Sequence, residues 1–388
     1  MTTTSPVLVI HVSELEAQGI SYHQGAYFTF QAHRLRKGQS FGGHLRDEAI
    51  ALATQYQSEG RFCILVEEEG MLTLCREDPP ASTDTNAKPL LTVPPCPVPA
   101  LTPPYQHLSP PDRTLAELLA QVRQHFARRT VSVAGLTWRY WVGGAGAQAI
   151  LFLPGTVHWG EMWFAYLHAW QGDFRVLAPT YPAATRVEQL VEGLRQLLKQ
   201  EQLQQVHLVG HSLGGLIALA FLRQYPVLVD KLVLSHTGVG APGSDRVKQA
   251  RQAERHLQGM SATEIAQQIY ARIAQKHLTA IPNQEFWRAY FREVLQGTSK
   301  TEFIHLNCRV VADFFQHYRL RSQDLNDPKR PVLLVEADND TTFTPAEQAA
   351  LKALFPQAQT LTCHGTGHYS VVVAAEQVMP RLVQFWRA

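Results

Sequence analysis

Short, predominantly apolar runs alternate with amphipathic segments through the larger, C-terminal part of the chain. Such a run is typical of a strand buried on both faces of a parallel sheet. The run 149–153 is apolar throughout, and the other predicted strands are residues 174–178, 206–209, 231–235, 331–335 and 359–362. The predicted helices are residues 114–128, 160–170, 187–200 and 374–385, and 130–142 form a hairpin. Strands that alternate with helices predict an α/β fold with a mostly parallel central sheet and helices on both faces.

A long helical stretch interrupts this alternation between the predicted strands 231–235 and 331–335. It covers residues 241–325, with helical spacing at 261–274, 283–295 and 300–317, and it is dense in aromatic residues. A helical insertion at the carboxyl edge of a sheet is typical of a cap that shapes a pocket and excludes water. The alternative is a helical subdomain whose aromatic side chains only form a core.

The N-terminal part follows a different pattern. Predicted strands at 7–12, 26–30, 61–67 and 71–75 and a helix at 42–57 indicate a small α+β domain over residues 1–78. Residues 79–112 contain eleven prolines, which predicts an extended linker because such a segment cannot build a packed core. The second domain, which contains the large sheet, is predicted for residues 113–388, with the helical cap at about 241–325.

Composition and charge exclude several classes of function. The formal net charge is +2, which implies neither a nucleic acid nor an anionic membrane as a partner. The five cysteines are widely spaced and include no C-x-x-C pair, so we expect neither a disulfide framework nor a zinc site. No run is long enough to span a bilayer and no secretion signal begins the chain. These features predict a cytoplasmic protein without metal or cofactor.

The sequence Gly-His-Ser-Leu-Gly at 210–214 lies where a predicted strand gives way to a helix. In that context, G-x-S-x-G is typical of a sharp turn that exposes a nucleophilic serine, here Ser212. Glycine two residues before and after the serine lets the strand and the helix approach closely. The alternative is a glycine-rich turn with an ordinary serine.

Two further polar groups follow predicted strands that end at the same edge of the sheet. Asp340 follows the strand 331–335, and His368 follows the strand 359–362. A serine needs an imidazole to take its proton, and the imidazole needs a carboxylate to orient it. The sequence therefore predicts a triad of Ser212, Asp340 and His368, with Asp338 and His364 as less favoured alternatives.

An oxyanion intermediate also needs N–H donors. The predicted donors are the backbone amides of Leu213, directly after the serine, and Thr156, in the Pro-Gly-Thr turn after the strand 149–153. Candidate residues for the substrate pocket are His158, Trp159, His211, Phe286, Trp287 and Tyr290. His158 is equally well interpreted as a surface histidine, and His211 as a packing residue.

These motifs resemble the α/β-hydrolase superfamily: the Gly-His-Ser-Leu-Gly-Gly turn, the Pro-Gly-Thr turn, Asp-Asn-Asp at 338–340 and Gly-Thr-Gly-His at 365–368. The order serine, aspartate, histidine is also that of the superfamily. Leu-Phe-Leu-Pro-Gly-Thr, Tyr181-Pro182 and Leu306-Asn307-Cys308 are similar to maspardin-like members, which are associated with protein interaction as well as hydrolysis. The chain departs from the superfamily pattern at Pro154, where histidine is usual, and at 178–182, where an aspartate is usual.

The leading hypothesis is a serine hydrolase that cleaves a small apolar carboxylic ester or thioester through an acyl-enzyme on Ser212. The resemblance leaves peptidase and lyase chemistry open, because one fold hosts many reactions. A competing hypothesis is an interaction scaffold on a hydrolase fold, with residues 1–112 binding a protein partner.

Overall fold

Two separate β-sheets organise the chain, one in each of the compact units Met1–Pro97 and Val98–Ala388. The computed structural model describes residues 7–20, 22, 27–31, 33–42, 46–58, 62–68, 71–77, 105, 108–279, 281–325, 327 and 329–387.

The first unit combines a five-stranded sheet with two helices. Its elements are β1 (Val9–His11), α1 (Val12–Ala17), β2 (Tyr27–Phe30), β3 (His33–Gly42), α2 (Arg46–Ser58), β4 (Cys63–Glu68) and β5 (Met71–Glu77). The strand order is β1-β4-β5-β3-β2; β1 runs parallel to β4, and the other pairs are antiparallel. Ala49, Ala53 and Tyr56 of α2 pack against apolar side chains of β4 and β5.

The second unit contains an eight-stranded sheet. Its strands are β6 (Ala127–Val133), β7 (Leu136–Gly143), β8 (Ala149–Leu153), β9 (Arg175–Thr180), β10 (Val206–His211), β11 (Val229–Ser235), β12 (Val332–Ala337) and β13 (Gln359–Cys363). The order is β13-β12-β11-β10-β8-β9-β7-β6, and β8 to β13 pair in parallel. The prediction of a mostly parallel sheet is confirmed. Every residue of β8 and β10 is buried, as expected for strands in the middle of a parallel sheet. Strand β8 is apolar throughout, whereas β10 also contains His207 and His211.

Helices connect these strands. Before the insertion they are α3 (Pro110–His125), α4 (Phe164–Trp170), α5 (Val187–Gln200) and α6 (Leu213–Gln224). Alternate residues of β8 face opposite sides, so Phe152 packs in one hydrophobic cluster with α4, and Leu151 and Leu153 pack in another with α5 and α6. The central sheet is therefore covered on both faces.

The segment between β11 and β12 is helical. It contains α7 (Arg246–Gln258), α8 (Ala262–His277), α9 (Gln284–Gln296), α10 (Lys300–Ile304), a π-helical turn (His305–Val310), α11 (Val311–His317) and α12 (Ser322–Leu325). The sequence patterns at 261–274, 283–295 and 300–317 correspond to α8, α9 and the run from α10 to α11. Helix α7 was missed because it is mostly polar, with only Ala250 and Leu257 buried. The chain closes with α13 (Pro345–Leu354), α14 (Ser370–Val373) and α15 (Ala375–Arg387).

The linker predicted for residues 79–112 lies mostly outside the described residues, but its C-terminal end belongs to the second unit. Helix α3 begins at Pro110 rather than at residue 114. The ring of Tyr105 is buried and stacks on Phe286, with the ring centroids 5.7 Å apart. Asp112 accepts a hydrogen bond of 2.9 Å from the backbone amide of Phe286. These contacts place the start of the second unit before residue 113, the predicted boundary. Helix α3 can begin at Pro110 because proline is compatible with the first turn of a helix.

Acid is expected to destabilise this fold through His207 of β10. The ring of His207 stacks on Trp386 at 4.7 Å, and burial lowers its pKa to about 4. In the unfolded chain, the side chain of His207 titrates near pH 6.5. The buried neutral ring therefore makes its full contribution to the free energy of unfolding above that pH, and the contribution falls as the pH drops towards 4. By pH 4.5 the loss is about 2.5 kcal/mol.

Chemical denaturation at pH 7.5 and pH 4.5 measures this effect. We expect His207→Phe to lose less stability between the two pH values than the wild type does, whereas replacement of the exposed His125 by glutamine leaves the loss unchanged. If His207→Phe loses as much stability as the wild type, the acid destabilisation does not come from His207.

Candidate active site

Ser212 lies in a sharp turn between β10 and α6, with φ +53° and ψ −115°. This backbone conformation is costly for a residue other than glycine and persists only where the surroundings enforce it. A Cβ on Gly210 would lie 2.4 Å from the carbonyl oxygen of Gly214, and one on Gly214 would lie 2.4 Å from that of Leu153. The two glycines are therefore required by the close approach of strand, turn and helix.

The structure brings Ser212, His368 and Asp340 together. Oγ of Ser212 is 2.9 Å from Nε2 of His368, and Nδ1 of His368 is 2.8 Å from Oδ2 of Asp340. Each residue follows the carboxyl end of a different strand, β10, β13 and β12. These ends meet at one edge of the parallel sheet, where such folds place their binding sites.

The alternative residues Asp338 and His364 contact each other instead. Nδ1 of His364 lies 2.8 Å from Oδ2 of Asp338, whose other oxygen accepts a hydrogen bond of 2.9 Å from the amide of Gly365. Both side chains are exposed, whereas those of Asp340 and His368 are almost completely buried. The two pairs are separate ion-pair candidates, and only the buried one contacts Ser212.

The charge of Asp340 determines how the protons are arranged. Burial by itself would raise the pKa of this carboxyl, but hydrogen bonds from His368 and from the amide of Thr342 hold the pKa well below its ordinary range. The carboxylate is therefore ionised at neutral pH and accepts a hydrogen bond from Nδ1–H of His368. Nε2 is then the free acceptor for the hydroxyl of Ser212.

Two backbone amides beside Ser212 have no acceptor among the described residues, those of Leu213 and Thr156. Leu213 is the first residue of α6, so its N–H lies at the positive end of the helix. Thr156 follows β8 in the turn that contains Gly155, where a Cβ would already lie 3.2 Å from that of Ser212. The carbonyl of Thr156 accepts a long contact of 3.5 Å from the side-chain amide of Asn307.

A cavity of about 400 Å³ opens beside Ser212. It is called the Ser212 cavity below. The triad edge contributes Thr156, Leu213, His368 and Tyr369 to its lining, and the cap contributes residues of α7, α8 and α11. The π-helical turn presents Asn307 and Cys308 to the same space. Such turns are frequent at functional sites because one extra residue changes which side chains face inward.

None of the six predicted pocket residues is among those that line this cavity. Phe286, Trp287 and Tyr290 pack in the core around Phe164, with ring centroids 5.6 to 6.3 Å from it. The remaining three are His158 and His211, which are buried, and Trp159, which is partly buried against the same core. The prediction fails because the apolar face of α9 covers the sheet-side core, while the aliphatic face of α8 covers the cavity.

The lining residues that sequence reasoning missed include Ile269, Ile273 and His277 of α8, and Asn307. The three in α8 are spaced four residues apart, so the helical period carried a signal for one shared face. No local pattern indicated that this face, rather than the aromatic face of α9, would meet Ser212.

Three further imidazoles surround His368. The ring centroids of His211, His236 and His277 lie 5.0, 5.8 and 5.7 Å from that of His368. Burial lowers the pKa of His236 to about 3 and holds that of His211 well below its ordinary range. His236 is fixed between the hydroxyls of Ser235 and Ser370, each 2.7 Å from a ring nitrogen. These neutral rings pack around the site without adding charge to it.

Within the described part of the chain, no three histidine, cysteine, aspartate or glutamate side chains converge as metal ligands would. None of the helices in those same residues combines the length and the apolar character that a membrane crossing requires.

Several known proteins are similar to this chain in sequence or in structure. The chain is 27% identical over 199 residues to sn-1-specific diacylglycerol lipase ABHD11 of Mus musculus, a match that covers 50% of this chain and 62% of the lipase. Maspardin of Danio rerio is 38% identical over 73 residues, which are 19% of this chain and 24% of maspardin. A hydrolase from Pseudomonas aeruginosa PA01 has a similar structure, with a TM-score of 0.57 and 20% identity over 67% of this chain and 98% of its own.

The chain spans less than two thirds of the length of the mouse lipase, and the likeness to the bacterial structure shows the fold alone. The match to maspardin makes that protein a distant relative. Residues 148–375, more than half of the chain, match the family described as the alpha/beta hydrolase fold. The predicted resemblance is confirmed, and the chain belongs to the alpha/beta hydrolase fold family.

Proposed function

We propose that this protein is a serine hydrolase that cleaves a carboxylic ester or thioester through an acyl-enzyme on Ser212. The observation that carries the proposal is the chain of hydrogen bonds from Asp340 through His368 to Ser212, 2.8 and 2.9 Å long. A serine hydroxyl becomes a nucleophile when a positioned base takes its proton. In this site His368 is the base, and Asp340 fixes its tautomer.

In the acylation step, Oγ of Ser212 bonds to the carbonyl carbon of the substrate as its proton passes to Nε2 of His368. The carbonyl oxygen becomes an oxyanion, which accepts hydrogen bonds from the amides of Leu213 and Thr156. The bond to the leaving group then breaks, and His368 returns the proton to the departing alcohol or thiol. Serine is left esterified by the acyl group.

Deacylation repeats the sequence with water. His368 removes a proton from a water molecule, whose oxygen attacks the acyl carbon and forms a second oxyanion in the same place. Collapse of this intermediate breaks the bond to Oγ, and the proton on His368 passes to Ser212. The products are a carboxylic acid and the free enzyme.

The cavity favours a substrate with an apolar portion. Leu216, Leu257, Ile269, Ile273 and Phe343 are among the residues that line it, and its volume of about 400 Å³ is ordinary for a small-molecule site. Similarity to a diacylglycerol lipase supports ester cleavage among the reactions that this fold hosts. A lyase would use the same triad without an acyl-enzyme, so a trapped acyl group on Ser212 excludes it. A peptidase would form the same intermediate, and cleavage of a matched amide substrate distinguishes it from an esterase.

Acid quenching during turnover of p-nitrophenyl hexanoate tests the proposal. We expect a burst of nitrophenol and a peptide containing Ser212 that is heavier by one hexanoyl group. Hexanoyl thioesters should give the same adduct, and a chain-length series would then rank the acyl groups. Hydrolysis without any acylated peptide would contradict the acyl-enzyme, and no turnover of either series would contradict the proposed function.

A further inference from the structure

The charge distribution in the Ser212 cavity is one-sided. Among the described residues that line it, none is an aspartate or a glutamate. Apart from His368, four lining side chains are basic: Arg246, His256, Arg272 and His277. A substrate that fills this cavity therefore meets apolar walls and positive charge, with no carboxylate to repel an anion.

Two of these four groups carry little net charge into the cavity. Arg246 is neutralised by Glu347, to which Nε and Nη2 donate at 2.7 and 2.5 Å, and it also donates to the carbonyl of Thr342 at 2.8 Å. Burial and the neighbouring His368 lower the pKa of His277 to about 4, so its imidazole is neutral at pH 7.

Arg272 is different. Its exposed side chain has no hydrogen-bond or carboxylate partner among the described residues, and a guanidinium is charged at every relevant pH. The charge of Arg272 also affects the buried side chain of Tyr369, the residue that follows His368. Burial raises the pKa of the Tyr369 hydroxyl, and the charge of Arg272 opposes that rise.

The surroundings of Arg272 are those of a binding subsite. Gln268 lies one helical turn before it on α8 and also lines the cavity, where its side-chain oxygen is 3.3 Å from Nε2 of His256. On the adjacent stripe of α8, Ile269 and Ile273 present apolar side chains to the same space. The exposed polar donors Arg272 and Gln268 therefore lie at the edge of the cavity, next to aliphatic side chains.

We propose that Arg272, with Gln268 beside it, forms an anion subsite of the Ser212 cavity, and that the substrate carries an anionic group separated from the scissile bond by an apolar stretch. The anionic group is a carboxylate or a phosphate, both of which match the planar fork of arginine. This inference rests on the proposed function for the reaction at Ser212, but the subsite itself can be measured without turnover.

The position of Arg272 sets the expected length of the substrate. It precedes His277 by five residues, which is about 7.5 Å along the helix axis. The ring of His277 is 5.7 Å from that of His368. Because the substrate has to extend from Ser212 to Arg272, we expect the preference for an anionic group to be stronger with longer chains.

The test compares mono-p-nitrophenyl esters of α,ω-diacids, from succinate to sebacate, with the uncharged p-nitrophenyl esters of equal chain length. For the longer chains, the ratio of kcat/KM between charged and uncharged substrates should be about 5 to 10 in the wild type and should fall with added salt. Arg272→Gln should bring the ratio to about 1, and Arg272→Glu below it. A matched control is Arg288→Gln, an exposed arginine of α9 outside the cavity lining, which should keep the wild-type ratio.

An unchanged ratio in Arg272→Gln would overturn the subsite. Substrates that end in a phosphate replace the diacid in a second series, and a larger ratio there would identify phosphate rather than carboxylate as the preferred anion. A ratio that is lost equally in Arg288→Gln would show general attraction to a basic cap and would also overturn the assignment to Arg272.

Binding separates the two proposals from each other. In the Ser212→Ala background, calorimetric titration with monomethyl octanedioate and uncharged dimethyl octanedioate should show tighter binding of the charged half-ester, and the added Arg272→Gln change should remove the difference. If this difference is found but no ester is hydrolysed, the subsite stands and the proposed function fails. If esters are hydrolysed but the charged and the uncharged ligand bind equally, the proposed function stands and the subsite fails.

Discussion

Ser212→Ala is expected to lower kcat for p-nitrophenyl esters by at least about 10⁴-fold and to abolish labelling by a fluorophosphonate probe. The hydroxyl is the group 2.9 Å from Nε2 of His368, and alanine leaves no atom that could be acylated. The amides of Leu213 and Thr156 remain, so a small residual rate over water is expected.

The fold should survive this change, because alanine fits the space of serine. Ser212→Gly should raise the free energy of unfolding by about 1 kcal/mol, since glycine adopts the positive φ of this turn without strain. Ser132→Ala, at an exposed position of β6, serves as the control and should keep full activity. Undiminished labelling of Ser212→Ala would mean that the nucleophile is another residue.

Asp340→Asn is expected to lower kcat by about 10⁴-fold with little change in KM. An asparagine can donate its amide proton to Nδ1 of His368, which places the ring proton on Nε2. The ring then has no acceptor for the proton of Ser212. Steady-state kinetics at neutral pH would measure the loss, and thermal unfolding would show whether the variant remains folded.

Asp338→Asn provides a matched comparison, because the two aspartates are two residues apart and each lies 2.8 Å from a histidine. Asp338 is exposed and bonded to His364 and the amide of Gly365, so its replacement should change kcat less than about twofold. Equal losses in the two variants would contradict the assignment of Asp340 as the orienting carboxylate.

The sequence was most informative where one local arrangement admits few residue types. The turn at 210–214 requires glycine at two positions, because a Cβ at either would lie 2.4 Å from a carbonyl oxygen. The central strands were recognisable for a similar reason, since a strand buried on both faces contains mainly apolar positions. Strands in a parallel sheet also end at one edge, which allowed residues far apart in sequence to be grouped around Ser212.

Tertiary structure decided which surfaces meet. An amphipathic pattern shows that one face of a helix is buried, but it does not show what covers that face. The aromatic residues of α9 are buried against Phe164, and the aliphatic residues of α8 line the cavity, although the sequence favoured the aromatic ones as a pocket. Helix α7 gave no clear pattern, because only two of its residues are buried.

By itself, then, the sequence determined most strands of the central sheet, the tight turn at Ser212 and the chemical types that follow the strand ends. Each of these depends on neighbours within a few residues or on the periodicity of one element. The shape and charge of the cavity depend on how α7, α8 and the π-helical turn pack over the sheet edge. Such contacts join residues distant along the chain, so the exposure of Arg272 at the cavity rim could be found only in the folded structure.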